Sequence, residues 1–198
     1  MDSSLSFLFL SLFSEKIRAL IVGGGRAASM KAKTLAERGC RVTVLAPRIC
    51  DDIRRLESAR LTLIAAPYDS ARLSGVHLVV IATDNPAVNA QIQADCEAQA
   101  KLFLTCGSAR DGLFVTPVMR ETEQTAFAVH TKSGSPRTAL FLAEKLADCL
   151  KKYDAFVAWV AAIRRQAAPR GDKDEIMRLL NTDESFELFQ KGRLNIMP

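Results

Sequence analysis

The sequence predicts an α/β fold, in which a Rossmann-type parallel sheet is followed by a small α+β segment and a helical C-terminal tail. Short apolar runs alternate with helical segments between residues 17 and 105. Strands separated by helices in this way pair in parallel through right-handed crossovers. A glycine-rich loop at residues 23–28 joins the first apolar run to the first helical segment, and the alternation stops after residue 115.

Five strands are predicted in the first part of the chain, each a short apolar or β-branched run that ends at a turn residue. The helical periodicity that starts at Arg26 stops at Gly39, a residue type that commonly follows a helix C-terminus. The predicted strands are residues 18–22, 41–45, 61–65, 77–82 and 102–105, and the predicted helices are residues 26–38, 49–58 and 87–100.

A different pattern follows in the second part of the chain. The alternation of residues 124–131 predicts one half-buried strand, and Ser135 with Pro136 predicts the start of a helix that runs to about residue 151. Two or three further helices are predicted, with breaks at residues 169–171 and 181–182. We therefore divide the chain into a Rossmann domain (residues 1–115), a strand-and-helix segment (residues 116–150) and a helical domain (residues 151–198).

The composition narrows the class of protein. A net charge of +5 suits an acidic small molecule, and because the basic residues form no dense stripe, we expect no nucleic-acid partner. The five cysteines are scattered without a C-x-x-C pair, which indicates reduced thiols in the cytoplasm. With two histidines far apart in sequence, we expect no metal site.

An apolar stretch at residues 5–13 resembles the core of a signal peptide. It is preceded by Asp2 rather than by basic residues, and it is too short to cross a bilayer. We therefore expect no membrane partner and a cytoplasmic protein whose apolar arm packs against the domain.

Residues 23–28 fit the G-x-G-x-x-A pattern of a dinucleotide-binding loop, placed between a predicted strand and a predicted helix. Gly23 is expected to make the tight turn, Gly25 to let the backbone approach the pyrophosphate, and Ala28 to keep helix and strand close. The alternative is a merely structural glycine turn. The candidate phosphate-binding residues are Gly23, Gly24, Gly25, Arg26 and Ala27.

The second predicted strand lacks the acidic residue that usually holds the ribose hydroxyls. Ala46, Pro47 and Arg48 stand in its place. Either backbone groups cover the ribose, or Arg48 accommodates a 2′-phosphate. NAD is favoured slightly over NADP, and Ala46 and Pro47 are candidate cofactor contacts.

Thr83, Asp84 and Asn85 follow the fourth predicted strand, at the edge of the sheet where a nicotinamide is expected. Asn89 lies one turn into the next helix. Asp84 or Asn85 can also cap that helix, which begins at Pro86, and capping is compatible with cofactor contact.

Four motifs occur in one order along the chain: the glycine loop with Lys31, the strand end at residues 44–47, residues 82–85 with Asn89, and the turn at residues 131–136. As a set they resemble the precorrin-2 dehydrogenases of sirohaem synthesis, the stand-alone form of the N-terminal half of sirohaem synthase. The resemblance covers residues 5–152. It implies oxidation of precorrin-2 to sirohydrochlorin with hydride transfer to NAD⁺, and in some members insertion of Fe²⁺ to give sirohaem.

The resemblance also implies a catalytic aspartate in the loop after the fifth strand. Many relatives carry Asn-Val-Val-Asp there, whereas residues 105–108 of this chain read Thr-Cys-Gly-Ser. The nearest carboxylate is Asp111, which is therefore the candidate general acid/base. A plain turn residue is the alternative.

An anionic substrate agrees with the residues around these motifs. Precorrin-2 carries many carboxylates, and Arg120 adds to the positive charge near the expected mouth of the site. A helix N-terminus at Ser135 offers amides to an anion, although Ser135 can simply be a cap and Lys132 simply solvated. The candidate substrate-binding residues are Asn89, Arg110, Lys132, Ser133, Ser135 and Arg137.

The family resemblance implies a homodimer built from about residues 116–149, with both subunits contributing to the active site. The apolar side chains of the predicted helix suit such an interface, although they can also pack within one subunit. Two non-catalytic alternatives remain: a regulatory NAD-binding Rossmann module of the kind that controls potassium transport, and a relative that binds NAD without turnover. Regulatory modules usually keep an acidic residue after the second strand, and Ala46 argues against that class.

Overall fold

A computed structural model describes residues 7–56, 58–168 and 172–194. The chain divides into two compact units. The first comprises residues 8–116, and the second contains residue 7 with the described residues from 117 onward.

The first unit is built on a five-stranded parallel sheet. Val22, Leu45 and Ile81 lie at one level in three neighbouring strands, so these strands end together at the carboxyl edge of the sheet. The strands are β1 (Arg18–Val22), β2 (Arg41–Leu45), β3 (Leu61–Ile64), β4 (Leu78–Ile81) and β5 (Leu102–Thr105). Their order across the sheet is β3-β2-β1-β4-β5.

Helices cover both faces of the sheet: α1 (Arg26–Glu37) and α2 (Asp51–Arg54) on one face, and α3 (Pro86–Ala98) on the other. Ala28 and Ile53 are fully buried in one core cluster, and Ile92 is fully buried in the other. Apolar side chains project from both faces of β1 and β4 into the core, so the sequences of these strands are almost continuous apolar runs. The predicted α/β fold with a Rossmann-type parallel sheet is confirmed.

Helix α2 is shorter than predicted. The sequence predicts a helix over residues 49–58, whereas α2 spans Asp51–Arg54. The backbone N–H of Cys50 donates to the carbonyl of Gly24 at 2.9 Å, which holds Cys50 in an extended conformation and delays the start of the helix. The prediction failed because this contact joins residues that are distant in sequence.

The apolar N-terminal arm does not pack as predicted. Leu8 and Phe13 are 85% and 77% exposed, and Phe9, Leu10 and Leu12 are also exposed. Phe7, by contrast, is half-buried, and its ring centroid lies 4.4 Å from that of His130. Residues 5 and 6 of the predicted arm lie outside the described residues. Nowhere in the described ranges is a helix both long and apolar enough to cross a membrane.

The second unit begins with an antiparallel hairpin of β6 (Val118–Glu121) and β7 (Ala126–Val129), which packs against α4 (Pro136–Lys151). The sequence predicts β7 and the helix but not β6. The polar residues Arg120 and Glu121 make β6 unlike a core strand in sequence, and Arg120 is fixed in the structure by Glu144 of α4.

The helical tail consists of α5 (Asp154–Ala167), α6 (Lys173–Leu180) and α7 (Asp183–Gln190), in agreement with the predicted two or three helices. Phe156 packs against the rings of Trp159, Phe186 and Phe189, with centroids 5.8, 5.3 and 5.4 Å away. These rings form the apolar core that joins α5 to α7.

A carboxylate fastens the tail to the hairpin. The Asp154 side chain accepts hydrogen bonds from the Thr122 hydroxyl at 2.6 Å and from the backbone N–H groups of Glu123 and Gln124 at 3.2 and 3.3 Å. The turn between β6 and β7 is thereby tied to the first residue of α5.

Candidate functional site

The candidate site of the first unit lies at the carboxyl edge of the parallel sheet. The chain reverses its direction across the sheet between β1 and β4, with β2 and β3 on one side and β5 on the other. Ligands of open α/β sheets bind outside the carboxyl ends of the strands at such a switch point. The segments that follow β1, β4 and β5 all leave from this edge.

The first two glycines of the phosphate loop are required by close backbone packing. Gly23 has a φ of +130°, and a Cβ there would lie 2.2 Å from the carbonyl oxygen of Ala82, which follows β4. A Cβ on Gly24 would lie 1.9 Å from the carbonyl oxygen of Arg48. The loop after β1 is therefore wedged between the loops after β4 and β2. The close approach of Gly24 to Arg48 has no signal in the sequence pattern.

Gly25 differs from its neighbours because it faces open space. A Cβ there would meet no atom within 4 Å. Gly25 is the N-cap residue of α1 and provides no side-chain cap, so no side chain satisfies the first amides of this helix at its cap. Arg26 is exposed and Ala27 is half-buried in this first turn. The arrangement can accept a phosphate group.

The residues after β2 are those at which the sequence predicts contact with the cofactor ribose. Ala46 is buried, whereas Pro47 and Arg48 are exposed. No carboxylate follows β2 within these residues, as the sequence indicates. The Arg48 guanidinium is the charged group that the structure offers here.

The loop after β4 is held by two asparagines. Asn85 caps α3, since its side-chain oxygen accepts from the N–H groups of Ala87 and Val88 at 3.0 and 3.2 Å. Asn89 is half-buried, and its side chain bonds the Thr83 hydroxyl at 2.6 Å and the Thr83 carbonyl at 3.2 Å. Asn89 thus orients Thr83, and the exposed carboxylate of Asp84 lies between these two fixed residues.

Asp111 lies in the loop after β5, at the end of a 3₁₀ turn formed by Ala109–Asp111. The next residue, Gly112, packs directly on β5, because a Cβ there would lie 2.9 Å from Cα of Leu104. The structure therefore places the Asp111 backbone beside the end of β5. The side chains of Asp111 and Arg110 are both exposed.

Lys31, to which the sequence pattern assigns no function, contacts the end of this loop. The Lys31 ammonium of α1 donates to the Thr116 hydroxyl at 2.8 Å. Burial raises the pKa of the Cys106 thiol at the start of the same loop, and the Lys31 charge opposes that rise. The local sequence gives no indication of this contact, because the contact depends on tertiary structure.

The remaining candidate residues belong to the second unit. Ser135 is the N-cap of α4 and accepts from the N–H of Thr138 at 3.4 Å, while its own N–H donates to the Thr131 hydroxyl at 2.7 Å. The turn carries three exposed candidates, Lys132, Ser133 and Arg137. Arg120, by contrast, is already paired: two of its guanidinium nitrogens donate to the Glu144 carboxylate at 2.9 and 2.6 Å.

Within the described ranges, no three or more side chains of histidine, cysteine, aspartate or glutamate come together as a metal site. All five cysteines are free thiols, two of them buried.

Comparison with known proteins extends these observations. The model of a family described as "Putative NAD(P)-binding" matches residues 10–118, which include the whole parallel sheet and the glycine loop. This match agrees with the dinucleotide-binding unit that the sequence predicts.

Several of the curated relatives that match are named sirohaem synthases, and two of them illustrate the match. The protein from Edwardsiella ictaluri is 34% identical over 148 residues, which are 74% of this chain and 32% of that protein. Sirohaem synthase 1 of Aeromonas salmonicida is 29% identical over 181 residues, 87% of this chain and 38% of that protein. The chain thus spans about a third of the length of these relatives.

A solved structure named SirC, precorrin-2 dehydrogenase, has the same fold. It superposes with a TM-score of 0.72 at 22% identity, covering 94% of this chain and 96% of that one. The likeness extends over the hairpin and the helical tail as well as the sheet.

Proposed function

The chain belongs to the family described as "Putative NAD(P)-binding", and from this premise we propose that it oxidises precorrin-2 to sirohydrochlorin with NAD⁺. The observation that carries the proposal is the open space at Gly25, on the sheet edge that also bears the Asp111 loop. The names of the sirohaem synthases and of the precorrin-2 dehydrogenase support the choice of substrate.

The phosphate loop fits a dinucleotide because it combines open space at Gly25 with a helix N-terminus that no side chain caps. Gly23 and Gly24 pack against backbone, which fixes the loop, and Gly25 leaves the N-terminus of α1 accessible. The amides of Arg26 and Ala27 would bind the pyrophosphate there. Ala46 and Pro47 would contact the adenosine ribose, and Thr83, Asp84 and Asn85 would border the nicotinamide.

The proposed reaction removes two electrons and two hydrogens from the macrocycle. NAD⁺, when bound, supplies the acceptor for one hydrogen as hydride. The other hydrogen leaves as a proton, and the Asp111 carboxylate takes it as general base. The exposed position of Asp111 suits this role, since the carboxylate can reach a ligand and release the proton to water.

The substrate carboxylates require positive partners. Arg110, Lys132 and Arg137 are exposed cations, and Ser133 and Ser135 lie in the turn that begins α4. We propose that these groups bind the acetate and propionate side chains of precorrin-2. Asn89 would act through Thr83, which it holds by two hydrogen bonds.

We further propose that the chain acts as a homodimer through residues 116–150. The support is a group of apolar side chains on α4 that remain exposed in the single chain. They are Leu140, Phe141, Leu142 and Leu146, of which Phe141 is 60% exposed. The free cysteines favour a reducing compartment, and we propose the cytoplasm.

The proposal is tested by incubating the protein with precorrin-2 and NAD⁺ or NADP⁺ under anaerobic conditions. We expect NADH absorbance and the sirohydrochlorin spectrum to appear together. Cofactor binding without any oxidation of precorrin-2 would instead identify a non-catalytic NAD-binding module. A separate incubation of sirohydrochlorin with Fe²⁺ tests the insertion of iron, with metal as substrate.

A further inference from the structure

Lys31 contacts the segment that carries the candidate catalytic aspartate. It is half-buried on the second turn of α1, the helix whose N-terminus adjoins the phosphate loop. Its ammonium donates to the Thr116 hydroxyl at 2.8 Å. Thr116 is the last residue of the first unit, so Lys31 holds the end of the segment 106–116.

The segment 106–116 is fastened to the sheet at two points besides Lys31. The N–H of Cys106 donates to the carbonyl of Ile81 at 2.9 Å, and the N–H of Leu113 donates to the carbonyl of Phe103 at 2.8 Å. Between these two points, the backbone N–H of Asp111 donates to the carbonyl of Ser108 at 3.3 Å, a bond within the segment itself. The part that bears Asp111 therefore depends for its position on how its two ends are held.

The charge of Lys31 also acts on Cys106, at the first end of the segment. The positive charge of Lys31 lowers the pKa of the Cys106 thiol against the larger, raising effect of burial. An ammonium has three N–H donors, and Thr116 takes one of them.

We propose that Lys31 is a positioning residue for the oxidation, whose ammonium clamps the Thr116 end of the segment 106–116 and thereby fixes Asp111 at the carboxyl edge of the sheet. This inference rests on the proposed function. Lys31 acts through Asp111 and takes no part in proton transfer itself. A small displacement of a reacting group is enough to slow a reaction strongly, which gives the clamp its effect.

The experiment compares Lys31→Met and Lys31→Arg with Lys33→Met as the matched control. Lys33 lies on the same helix and makes an exposed ion pair with Glu37 at 3.8 Å. For Lys31→Met we expect kcat with precorrin-2 to fall between about tenfold and a hundredfold. We expect the Kd for NAD⁺ to change by less than about twofold, well under the tenfold that 1.4 kcal/mol represents. Lys31→Arg should restore most of kcat, and Lys33→Met should behave as wild type.

Two readouts do not need turnover. In Lys31→Met, hydrogen exchange of the amides of residues 107–111 should rise severalfold. The pH dependence of Cys106 alkylation, followed by mass spectrometry of its peptide, should shift, because the Lys31 charge that acts on its pKa is gone. Thr116→Val removes the acceptor and should raise the same exchange, and the double variant should add little to either single one.

Unchanged exchange and an unchanged alkylation profile in Lys31→Met would overturn the clamp. A large loss of NAD⁺ affinity with normal kcat would also overturn it, by showing that Lys31 binds the cofactor. If the wild-type protein oxidises no precorrin-2, the proposed function fails, and exchange and alkylation still decide whether Lys31 holds the segment.

Discussion

The glycine loop offers a pair of substitutions that separate folding from cofactor binding. In Gly25→Ala the added methyl meets no protein atom within 4 Å, and the backbone angles of φ −95° and ψ −164° are open to alanine. In Gly24→Ala the methyl would lie 1.9 Å from the carbonyl oxygen of Arg48. The same chemical change is therefore made once in open space and once against backbone.

The expected magnitudes follow from these contacts. Gly25→Ala should leave the free energy of unfolding unchanged or raise it by up to about 1 kcal/mol, because alanine restricts the unfolded chain. The methyl would displace the pyrophosphate from an amide, and losing one hydrogen bond to a charged group costs about 1.5–3 kcal/mol, or roughly ten- to hundredfold in Kd. Gly24→Ala should lower the free energy of unfolding by about 1–3 kcal/mol, since the backbone around Arg48 must move.

Urea unfolding and calorimetric titration with NAD⁺ measure the two effects separately. We expect Gly25→Ala to fold like wild type and bind NAD⁺ weakly, and Gly24→Ala to be destabilised. A folded Gly25→Ala variant with wild-type affinity would refute the assignment of this space to the pyrophosphate.

Three further changes test other parts of the molecule. Arg48→Glu should lower the affinity for NADP⁺ more than that for NAD⁺ in a titration, because it removes the cation available to a 2′-phosphate; an equal effect on both would remove Arg48 from the ribose site. Asp154→Ala should lower the free energy of unfolding by about 1–3 kcal/mol by leaving the hairpin turn without its acceptor, whereas Asp172→Ala, which removes no side-chain cap, should not. Burial raises the pKa of the Cys96 thiol to about 11, so the unfolded chain ionises first and stability should fall as pH rises from about 9 to 11. Urea unfolding of Cys96→Ala should show a smaller loss over this interval, and an identical loss would contradict the reasoning.

The strands and the phosphate loop could be predicted because their signals are local. Residues 18–22 form an apolar run that ends at Gly23, and the strand, turn and helix follow within a few residues. The helix that starts at Pro136 was equally predictable, since Ser135 caps it as its residue type suggests. These elements depend on neighbours in sequence.

The parts that sequence reasoning missed depend on tertiary contacts. The late start of α2 comes from the bond between Cys50 and Gly24, which are 26 positions apart in sequence. Strand β6 carries Arg120, whose partner Glu144 lies on α4. No local pattern contains these pairings.

The candidate site divides in the same way. The glycines, Asn85 and Ser135 could be found because turns and helix caps select residue types. The contact of Lys31 with Thr116 joins residues 85 positions apart. It forms because the fold places α1 beside the loop after β5.

The most direct test of the account follows NADH formation from precorrin-2 by the wild-type protein and by Asp111→Asn, with NAD⁺ affinity measured on both. The account predicts one NADH for each sirohydrochlorin formed by the wild type, since one hydride leaves each macrocycle. For Asp111→Asn it predicts unchanged NAD⁺ affinity and a rate lower by about a hundredfold or more, the usual contribution of a general base. NAD⁺ binding without NADH formation by the wild type, or full activity in Asp111→Asn, would contradict it.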